Sequence, residues 1–209
     1  LLWMLTYDRI IRYDGTDIEQ FDNIIKPDLR LRTACMMKDK ILLNYDHAEL
    51  LLFDLKSLKA IKIVLPEEIK KPNFIKANGE NVYICCKTAR KIYICGLTGS
   101  LLKVTNIISG IDADEIFPIN DSLVITRNEN QKESYIIDVK SKKTNIKLIN
   151  NHNALNINCI KGFILINTAD TIYVIKPGDN LPIRKIKLSG NFNTYQSEND
   201  LFLFSNNID

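Results

Sequence analysis

The sequence is poor in the residue types that carry most enzyme chemistry. Its 209 residues include two histidines, His47 and His152, and eight glycines that never cluster. Isolated glycines cannot build the Gly-rich loop that cradles a phosphate group. Neither histidine has a Ser or Cys nucleophile and an orienting acid nearby in the sequence, as acyl transfer requires. No apolar run approaches the ~20 residues of a membrane-spanning helix, so we predict neither a catalytic motif nor a membrane span.

The cysteines lack the spacing of a metal site. They number five, Cys35, Cys85, Cys86, Cys95 and Cys159. None forms the C-x-x-C pair typical of tetrahedral zinc. Cys85 and Cys86 are neighbours in a predicted strand, where successive side chains point to opposite faces. We therefore predict reduced, buried thiols without zinc, which favours a reducing compartment and a cytoplasmic location.

The small net charge of the chain does not indicate an acidic partner. There are 28 basic and 25 acidic residues, a formal net charge of +3. A nucleic-acid-binding surface usually carries a denser basic stripe. Lysines gather locally between Lys70 and Lys91 and between Lys140 and Lys147, where we expect them to protect exposed sheet edges from pairing with other chains. Nucleic-acid binding is therefore disfavoured.

A segment that ends a strand and enters a polar turn recurs along the chain. Its equivalent positions, Arg12, Asp54, Gly96, Asp138 and Lys176, are spaced by 42, 42, 42 and 38 residues. Each period contains short runs rich in Ile, Leu, Val, Tyr and Phe, separated by turn residues. A period near 40 residues made of strands throughout is typical of a β-propeller.

Four strands are predicted in each complete period. In the second they are Leu31–Met36, Ile41–Tyr45, Glu49–Leu55 and Ala60–Leu65. We predict an all-β fold, a propeller of four-stranded antiparallel blades within one domain. The predicted blades cover residues 1–26 (partial), 27–66, 72–108, 112–150, 153–189 and 190–209 (partial). A β-sandwich is the alternative; the helix-compatible segment Pro66–Pro72 is predicted to be a connecting turn, which disfavours a parallel βαβ fold.

The two ends of the chain are incomplete repeats. Three strands are predicted before residue 22 and two after residue 190. The terminal strands either close a five-bladed ring together or belong to different blades of a larger ring. Simple closure would supply one strand too many, so we favour about five blades from a ring of six or more. The first residue, Leu1, is not an initiator methionine, which agrees with truncation.

The third repeat carries a more specific pattern. Pro72 leads an inner strand, Asn78-Gly79 forms a turn, Val82-Tyr83-Ile84 begins the next strand, and Gly96 follows the third. This order resembles the NHL repeat, although Cys85-Cys86 stands where that family often has an alanine and an aspartate. The Trp-Asp pair of the WD repeat is absent. The resemblance implies a six-bladed ring whose usual work is binding protein, nucleic acid or carbohydrate, with a minority of enzymes.

Polar residues before the inner strands are the candidate binding site. The set comprises Asp112, Asp114, Glu115, His152, Asn153 and Asn193. Carboxylate and amide oxygens suit Ca²⁺, and calcium-dependent lactonases of six-bladed form use a comparable set. The D-x-D-x-D-G calcium loop is missing, however. We therefore favour a solvated acidic loop with no metal or cofactor, and keep Ca²⁺ binding as the alternative.

Two functional hypotheses follow from these patterns. The favoured one is a non-catalytic propeller scaffold that binds another protein or another domain of the same chain. The alternative is a propeller enzyme, a metal-dependent hydrolase or lactonase or a lyase, whose pocket at the central channel is formed by the polar residues of the candidate site.

Overall fold

The protein is built from short antiparallel strands. The structure, a computed structural model, describes residues 2–6, 9–21, 31–45, 49–128, 133–141, 144–148, 156–160, 163–168, 171–177, 182–187, 192–196 and 201–205. Every regular element within these ranges is a β-strand. They contain no helix long and apolar enough to cross a membrane. The chain divides into two compact units, Leu1–Gly110 and Ile111–Asp209.

The first unit holds three sheets in which strands follow one another in chain order. Sheet 1 consists of β1 (Leu2–Leu5), β2 (Ile10–Tyr13) and β3 (Ile18–Phe21). Sheet 2 consists of β4 (Leu31–Met37), β5 (Lys40–Tyr45), β6 (Leu50–Asp54) and β7 (Lys59–Ile63). Sheet 3 consists of β8 (Phe74–Asn78), β9 (Asn81–Cys86), β10 (Lys91–Thr98) and β11 (Leu101–Ser109). Each sheet is thus an antiparallel meander.

The second unit repeats this arrangement. Sheet 4 consists of β12 (Glu115–Pro118), β13 (Leu123–Asn128), β14 (Glu133–Asp138) and β15 (Thr144–Leu148). Sheet 5 consists of β16 (Asn156–Ile160), β17 (Phe163–Asn167), β18 (Thr171–Ile175) and β19 (Arg184–Lys187). Sheet 6 pairs β20 (Phe192–Gln196) with β21 (Leu201–Ser205). In the first unit, the four strands predicted for the second repeat agree with β4 to β7 to within two residues.

Aspartates close three equivalent hairpins between the third and fourth strands of a repeat. The Oδ1 atom of Asp54 accepts the backbone N–H groups of Lys56 and Ser57 at 3.0 and 2.8 Å. In sheet 4, Asp138 Oδ1 accepts the corresponding N–H groups, those of Lys140 and Ser141. These hydrogen bonds to the charged form lower the pKa of both carboxyls. Such Asx turns mimic a backbone turn, which explains why a strand ends here.

In sheet 1 the corresponding residue is Asp14, and the predicted equivalence of Arg12 with Asp54 is wrong. Asp14 accepts the N–H groups of Thr16 and Asp17 at 2.9 and 2.8 Å. These bonds lower the pKa of Asp14 to about 2. Arg12 lies two residues earlier in the strand and pairs with Glu19 across the hairpin. Counted from the residue before each aspartate to its cross-strand partner, the hairpin loop is two residues shorter in sheet 1 than in sheet 2. A constant spacing of 42 residues therefore points to Arg12, whereas the equivalent residue is Asp14.

Gly96 is not part of a turn, although the repeat pattern assigned it there. It lies within β10, opposite Asn81 and Lys103. The turn comes three residues later at Gly99, whose φ of +60° is a conformation that a glycine adopts without strain. As a result β10 extends beyond Gly96 to Thr98. The predicted connecting turn at Pro66–Pro72 is confirmed, because the N–H of Ile69 donates to the carbonyl of Pro66 at 2.9 Å.

Two cores in the first unit lie between successive sheets. Sheets 1 and 2 meet through Trp3, Phe21 and Phe53, whose ring centroids are 5.6–5.8 Å apart. Sheets 2 and 3 meet through a second cluster that includes Leu42 and Ile84. The strands β5 and β9 are buried on both faces, so their sequences are nearly continuous apolar runs rather than alternating ones.

The second unit contains a matching core. Ile125 and Ile136 of sheet 4 cluster with Ile164, Ile166 and Ile175 of sheet 5. These five residues are at most 1% exposed. Stiff β-branched side chains pack well on a pleated surface. Sheets 1, 2 and 3 in the first unit and sheets 4 and 5 in the second thus bury faces against one another, the packing of repeats that cannot bury both faces alone.

Candidate functional site

Buried polar side chains concentrate at one end of the sheets. Among the residues that the structure describes they are Asn44, Thr126, Asn128, Ser134, Asn167 and Thr171. Counting the strands of each sheet in chain order, all six lie in the last three residues of the second strand or the first two residues of the third strand. We call this the polar end of a sheet; the first strand also begins there. The opposite end carries the hairpins between first and second strands.

The predicted site residue Glu115 is engaged in an ion pair at the polar end of sheet 4. Glu115 begins β12 and is the cross-strand partner of Arg127 in β13. The Arg127 Nε atom lies 2.8 Å from Glu115 Oε2, and the two side chains are 14% and 23% exposed. Little water reaches the pair, so removing either charge would leave the other poorly solvated. The carboxylate is therefore already neutralised by a neighbour.

Asp112 and Asp114 form the entry to the same strand. The side-chain Nδ2 of Asn128 donates to the Asp112 carbonyl at 3.0 Å. The N–H of Asp114 donates to the Arg127 carbonyl at 2.8 Å. Both aspartates are half-buried. The segment before β12 is therefore fixed by backbone hydrogen bonds at the level of the Glu115–Arg127 pair.

The remaining predicted site residues cannot be placed beside these three. His152 and Asn153 lie outside the described residues, as does His47. Asn193 lies in β20 opposite Phe204, and only its backbone is described. Within the described ranges no three His, Cys, Asp or Glu residues are grouped so that they could hold a metal ion. The six-residue site and its Ca²⁺ alternative stay predictions.

The position of the Glu115–Arg127 pair recurs in the other complete sheets. The cross-strand pairs at this position are Thr33 with Asn44, Phe74 with Cys85, Glu115 with Arg127, and Asn156 with Asn167. Three of these four pairs are polar, and the apolar one belongs to sheet 3. The same backbone position thus carries different chemistry from sheet to sheet.

In sheet 2 the polar pair also connects neighbouring sheets. Asn44 Nδ2 donates to Thr33 Oγ1 at 3.4 Å, and Thr33 Oγ1 donates to the Ile75 carbonyl of sheet 3 at 3.5 Å. These are long, weak hydrogen bonds. Asn44 Oδ1 and the hydroxyl of the next residue, Tyr45, are buried without a hydrogen-bond partner among the described residues. Burial raises the pKa of the Tyr45 hydroxyl to about 12.

The polar ends suit hydrogen bonding better than proton transfer or nucleophilic attack. Their side chains are mainly amides and hydroxyls, and the Glu115 carboxylate is engaged by the Arg127 guanidinium. The thiols near the core are similarly inert. Burial raises the pKa of Cys35 and Cys86 to about 11 and that of Cys95 to about 12, so they remain protonated at neutral pH.

Four residues of the polar ends were not predicted from the sequence: Arg127, Asn128, Asn44 and Thr33. A signal was present, because Asn44, Arg127-Asn128 and Asn167 each follow a run of three apolar or β-branched residues within a second strand. Polar residues at the end of an otherwise buried strand need hydrogen-bond partners. The partner strand and register, which decide that Arg127 meets Glu115, are long-range features that the local pattern does not contain.

Comparison with known proteins gives structural similarity alone. No protein-family model matches the chain, and no curated protein sequence is significantly similar to it. The structure is similar to PorZ, described as an essential bacterial surface component of the type-IX secretion system of Porphyromonas gingivalis, with a TM-score of 0.66 and 11% identity over 97% of this chain. It is also similar to the β-propeller domain of Cps50 (Swd1) from Myceliophteria thermophila, with a TM-score of 0.61 and 11% identity over 86% of this chain.

The chain spans 29% of the PorZ chain and 65% of the Swd1 chain. At 11% identity these similarities concern the fold and not the activity. Consecutive four-stranded antiparallel meanders, packed face to face within each unit, are the blades that such folds repeat. The predicted fold class is confirmed: this chain is an all-β protein with a β-propeller fold.

Proposed function

We propose that the protein is a non-catalytic β-propeller scaffold that binds another protein, or another domain of its own polypeptide, through the polar ends of its sheets. The observation that carries this proposal is the concentration of buried amides, hydroxyls and one ion pair at those ends. At the polar end of sheet 4, Asn128 and Arg127 fix the described segment before β12 through hydrogen bonds to Asp112 and Asp114, and rigid scaffolds usually place their binding residues on segments of this kind.

The variation among equivalent cross-strand pairs supports a binding role. If these positions served stability alone, apolar pairs such as Phe74 with Cys85 would suffice in every sheet. Different polar pairs instead present a different pattern of donors and acceptors at each sheet, which suits recognition of an irregular protein surface. We extend the proposal to an NHL-like repeat type, on the pattern of sheet 3, and to the cytoplasm, where five free cysteines would stay reduced.

Binding at the polar end can be tested by affinity capture with matched variants. The hairpin Lys87–Arg90 lies at the polar end of sheet 3, and its Thr88 and Ala89 are exposed. A Thr88→Glu/Ala89→Glu double variant changes this surface without touching the core. Asp121→Arg changes an exposed hairpin at the opposite end of sheet 4. We expect a protein partner, quantified by mass spectrometry, to be retained by the native chain and by Asp121→Arg but depleted at least fivefold by the double variant.

Equal capture by both variants would contradict binding at the polar end. Turnover of a small molecule by the native chain, with no partner captured, would contradict the scaffold function as a whole. Circular dichroism and melting temperature of the two variants should equal those of the native chain, because the substituted side chains are exposed. Unchanged folding ensures that lost capture reports lost contact.

A further inference from the structure

Basic residues gather in two connecting segments at the polar end of sheet 3. Lys70 and Lys71 lie in the segment before β8, and Lys87 and Arg90 lie in the hairpin between β9 and β10. Lys87 is half-buried and the other three are exposed. The expectation that such lysines protect a sheet edge fails for these residues, because none of the four lies in an edge strand.

Hydrogen bonds hold the two segments side by side. The N–H of Lys87 donates to Asn73 Oδ1 at 2.7 Å, and the hydroxyl of Tyr93 in β10 donates to the Glu68 carbonyl at 3.0 Å. Between these two anchors, Ile69 is 5% exposed and belongs to the core between sheets 2 and 3. Residues 66–73 and 87–90 therefore form one anchored surface, which we call the basic surface.

Three of the four positive charges lack an ion-pair partner in the part of the chain that the structure describes. They are those of Lys70, Lys71 and Arg90. Glu67 and Glu68 also lie in the basic surface. Two carboxylates do not offset four cations, so the surface keeps a net positive charge. Such a surface attracts an anionic partner.

Two of these cations adopt a backbone conformation that favours glycine. Lys71 has a φ of +52° and Arg90 has a φ of +51°. Leu58 shares this conformation, but its side chain packs against the core between sheets 1 and 2. The Lys71 side chain has no hydrogen bond or ion pair within the described ranges, and Arg90 uses one of its five N–H donors, for the Gly110 carbonyl at 3.2 Å. Strained positions concentrate at binding sites, which favours a ligand for both side chains.

The chemistry of the basic surface suits an acidic polypeptide better than a nucleic acid. Single-stranded nucleic acids bind through aromatic side chains on which the bases stack. The basic surface contains no aromatic residue, and the tyrosines of sheet 3, Tyr83 and Tyr93, are 1% and 3% exposed. An acidic segment needs cations alone, because the Arg90 guanidinium matches a carboxylate in a bidentate pair and lysines act as point charges. Thr88 and Ala89 in the hairpin are small and exposed, which leaves room for a bound chain.

We propose that the basic surface binds an acidic segment of a partner protein, whose aspartate and glutamate side chains pair with Lys70, Lys71 and Arg90. The inference rests on the proposed scaffold function and names the chemistry of its partner. These pairs are exposed to solvent, so each contributes little by itself, and binding depends on several pairs together. Binding also weakens as the salt concentration rises.

The exposed positions Thr88 and Ala89 allow the charge of the basic surface to be changed at nearly constant size. Three double variants form the series: Thr88→Glu/Ala89→Glu, Thr88→Gln/Ala89→Gln and Thr88→Lys/Ala89→Lys. The probe is a fluorescein-labelled peptide of about ten residues in which glutamate alternates with serine, long enough to form several exposed pairs. The control peptide carries glutamine in place of glutamate. Fluorescence anisotropy at about 50 mM salt, where screening is weak, measures the binding of both.

We expect the acidic peptide to bind saturably and the glutamine peptide not to bind. Affinity should rise from the Glu to the Gln to the Lys double variant, by about fivefold at each step, because each step changes the surface by two charges. Lys70→Gln/Lys71→Gln should weaken binding about fivefold for the same reason. Lys59→Gln/Lys103→Gln is the matched control, since it removes two exposed lysines from the outer strands β7 and β11. Its affinity should equal that of the native chain.

Three outcomes with the acidic peptide would overturn the inference. They are no binding to the native chain, equal binding by the three charge variants, or a loss in Lys59→Gln/Lys103→Gln as large as that in Lys70→Gln/Lys71→Gln. Tighter binding of an oligouridylate of equal charge, weakened by Lys70→Gln/Lys71→Gln, would assign the surface to a nucleic acid and also contradict an acidic protein segment. All substituted side chains are exposed, so the variants should fold like the native chain.

Failure of this inference is distinguishable from failure of the scaffold function. A protein partner captured by the native chain, but lost equally from the Glu and Gln double variants, would keep the scaffold function and contradict only the acidic partner. The absence of any captured partner would contradict the scaffold function itself.

Discussion

At the scale of single residues, two buried tyrosines test what an unpaired hydroxyl costs. Tyr45 and Tyr93 are 1% and 3% exposed. The Tyr93 hydroxyl donates to the Glu68 carbonyl at 3.0 Å, whereas the Tyr45 hydroxyl has no partner within the described residues. A buried polar group without a partner costs free energy, and replacing it with an apolar group of the same shape can be neutral or stabilising.

We expect Tyr45→Phe to leave the free energy of unfolding unchanged or to raise it by about 1 kcal/mol. Tyr93→Phe should lower it by about 1 kcal/mol, because the Glu68 carbonyl then loses its donor. Urea denaturation followed by circular dichroism measures both. Each ring stays in place, so packing is the same in the two variants. A loss in Tyr45→Phe equal to that in Tyr93→Phe would show that the Tyr45 hydroxyl has an unrecognised partner.

At the scale of single elements, the first hairpins of sheets 2 and 3 adopt one turn with different residues. In both a two-residue turn joins the first and second strands, and its first residue has positive φ. That residue is Lys38 in sheet 2, with φ of +54°, and Gly79 in sheet 3, with φ of +59°. The left-handed conformation strains a side chain by roughly 1–2 kcal/mol, but glycine tolerates it.

Exchanging these residue types should therefore have opposite effects. Lys38→Gly is expected to stabilise the protein by up to about 1 kcal/mol, since relief of strain exceeds the entropy that glycine adds to the unfolded chain. Loss of the exposed Lys38–Glu80 ion pair should matter little. Gly79→Ala should destabilise by about 1 kcal/mol, although its Cβ would meet no atom within 4 Å. The melting temperatures of the native chain, Lys38→Gly and Gly79→Ala measure both effects. A melting temperature of Lys38→Gly below that of the native chain would contradict the strain at Lys38.

Elements were easier to predict from the sequence than the contacts among them. Strands are local features, so the four strands predicted for the second repeat lie within two residues of the observed bounds of β4 to β7. The position of a turn depends on one φ angle, and the sequence pattern does not show which of Gly96 and Gly99 adopts the positive φ. The pairing of Glu115 with Arg127 depends on register between strands. Glu115 in the first strand of sheet 4 could therefore be predicted from the sequence, whereas its partner Arg127 in the second strand could not.

At the scale of the whole molecule, buried thiols link stability to pH. Cys35, Cys86 and Cys95 belong to the same core of the first unit. Desolvation raises the pKa of the first two to about 11 and of the third to about 12. In the unfolded chain these thiols ionise near pH 8.5. Above that pH the unfolded state binds fewer protons than the folded state, so stability must fall as pH rises.

We expect the free energy of unfolding to be nearly constant between pH 7 and 8 and to decline from about pH 8.5 upwards, by on the order of 1–2 kcal/mol per buried thiol at pH 10. Urea midpoints measured under reducing, anaerobic conditions from pH 7 to 10.5 would show the slope. Cys86→Val should reduce the slope by about a third, because one of the three thiols is lost and valine fills a similar volume without ionising. Cys159→Val is the control: Cys159 is only partly buried and lies in the other unit. A profile equally steep in Cys86→Val and the native chain would mean that Cys86 ionises as readily in the folded protein as in the unfolded chain, which would contradict its burial between sheets 2 and 3.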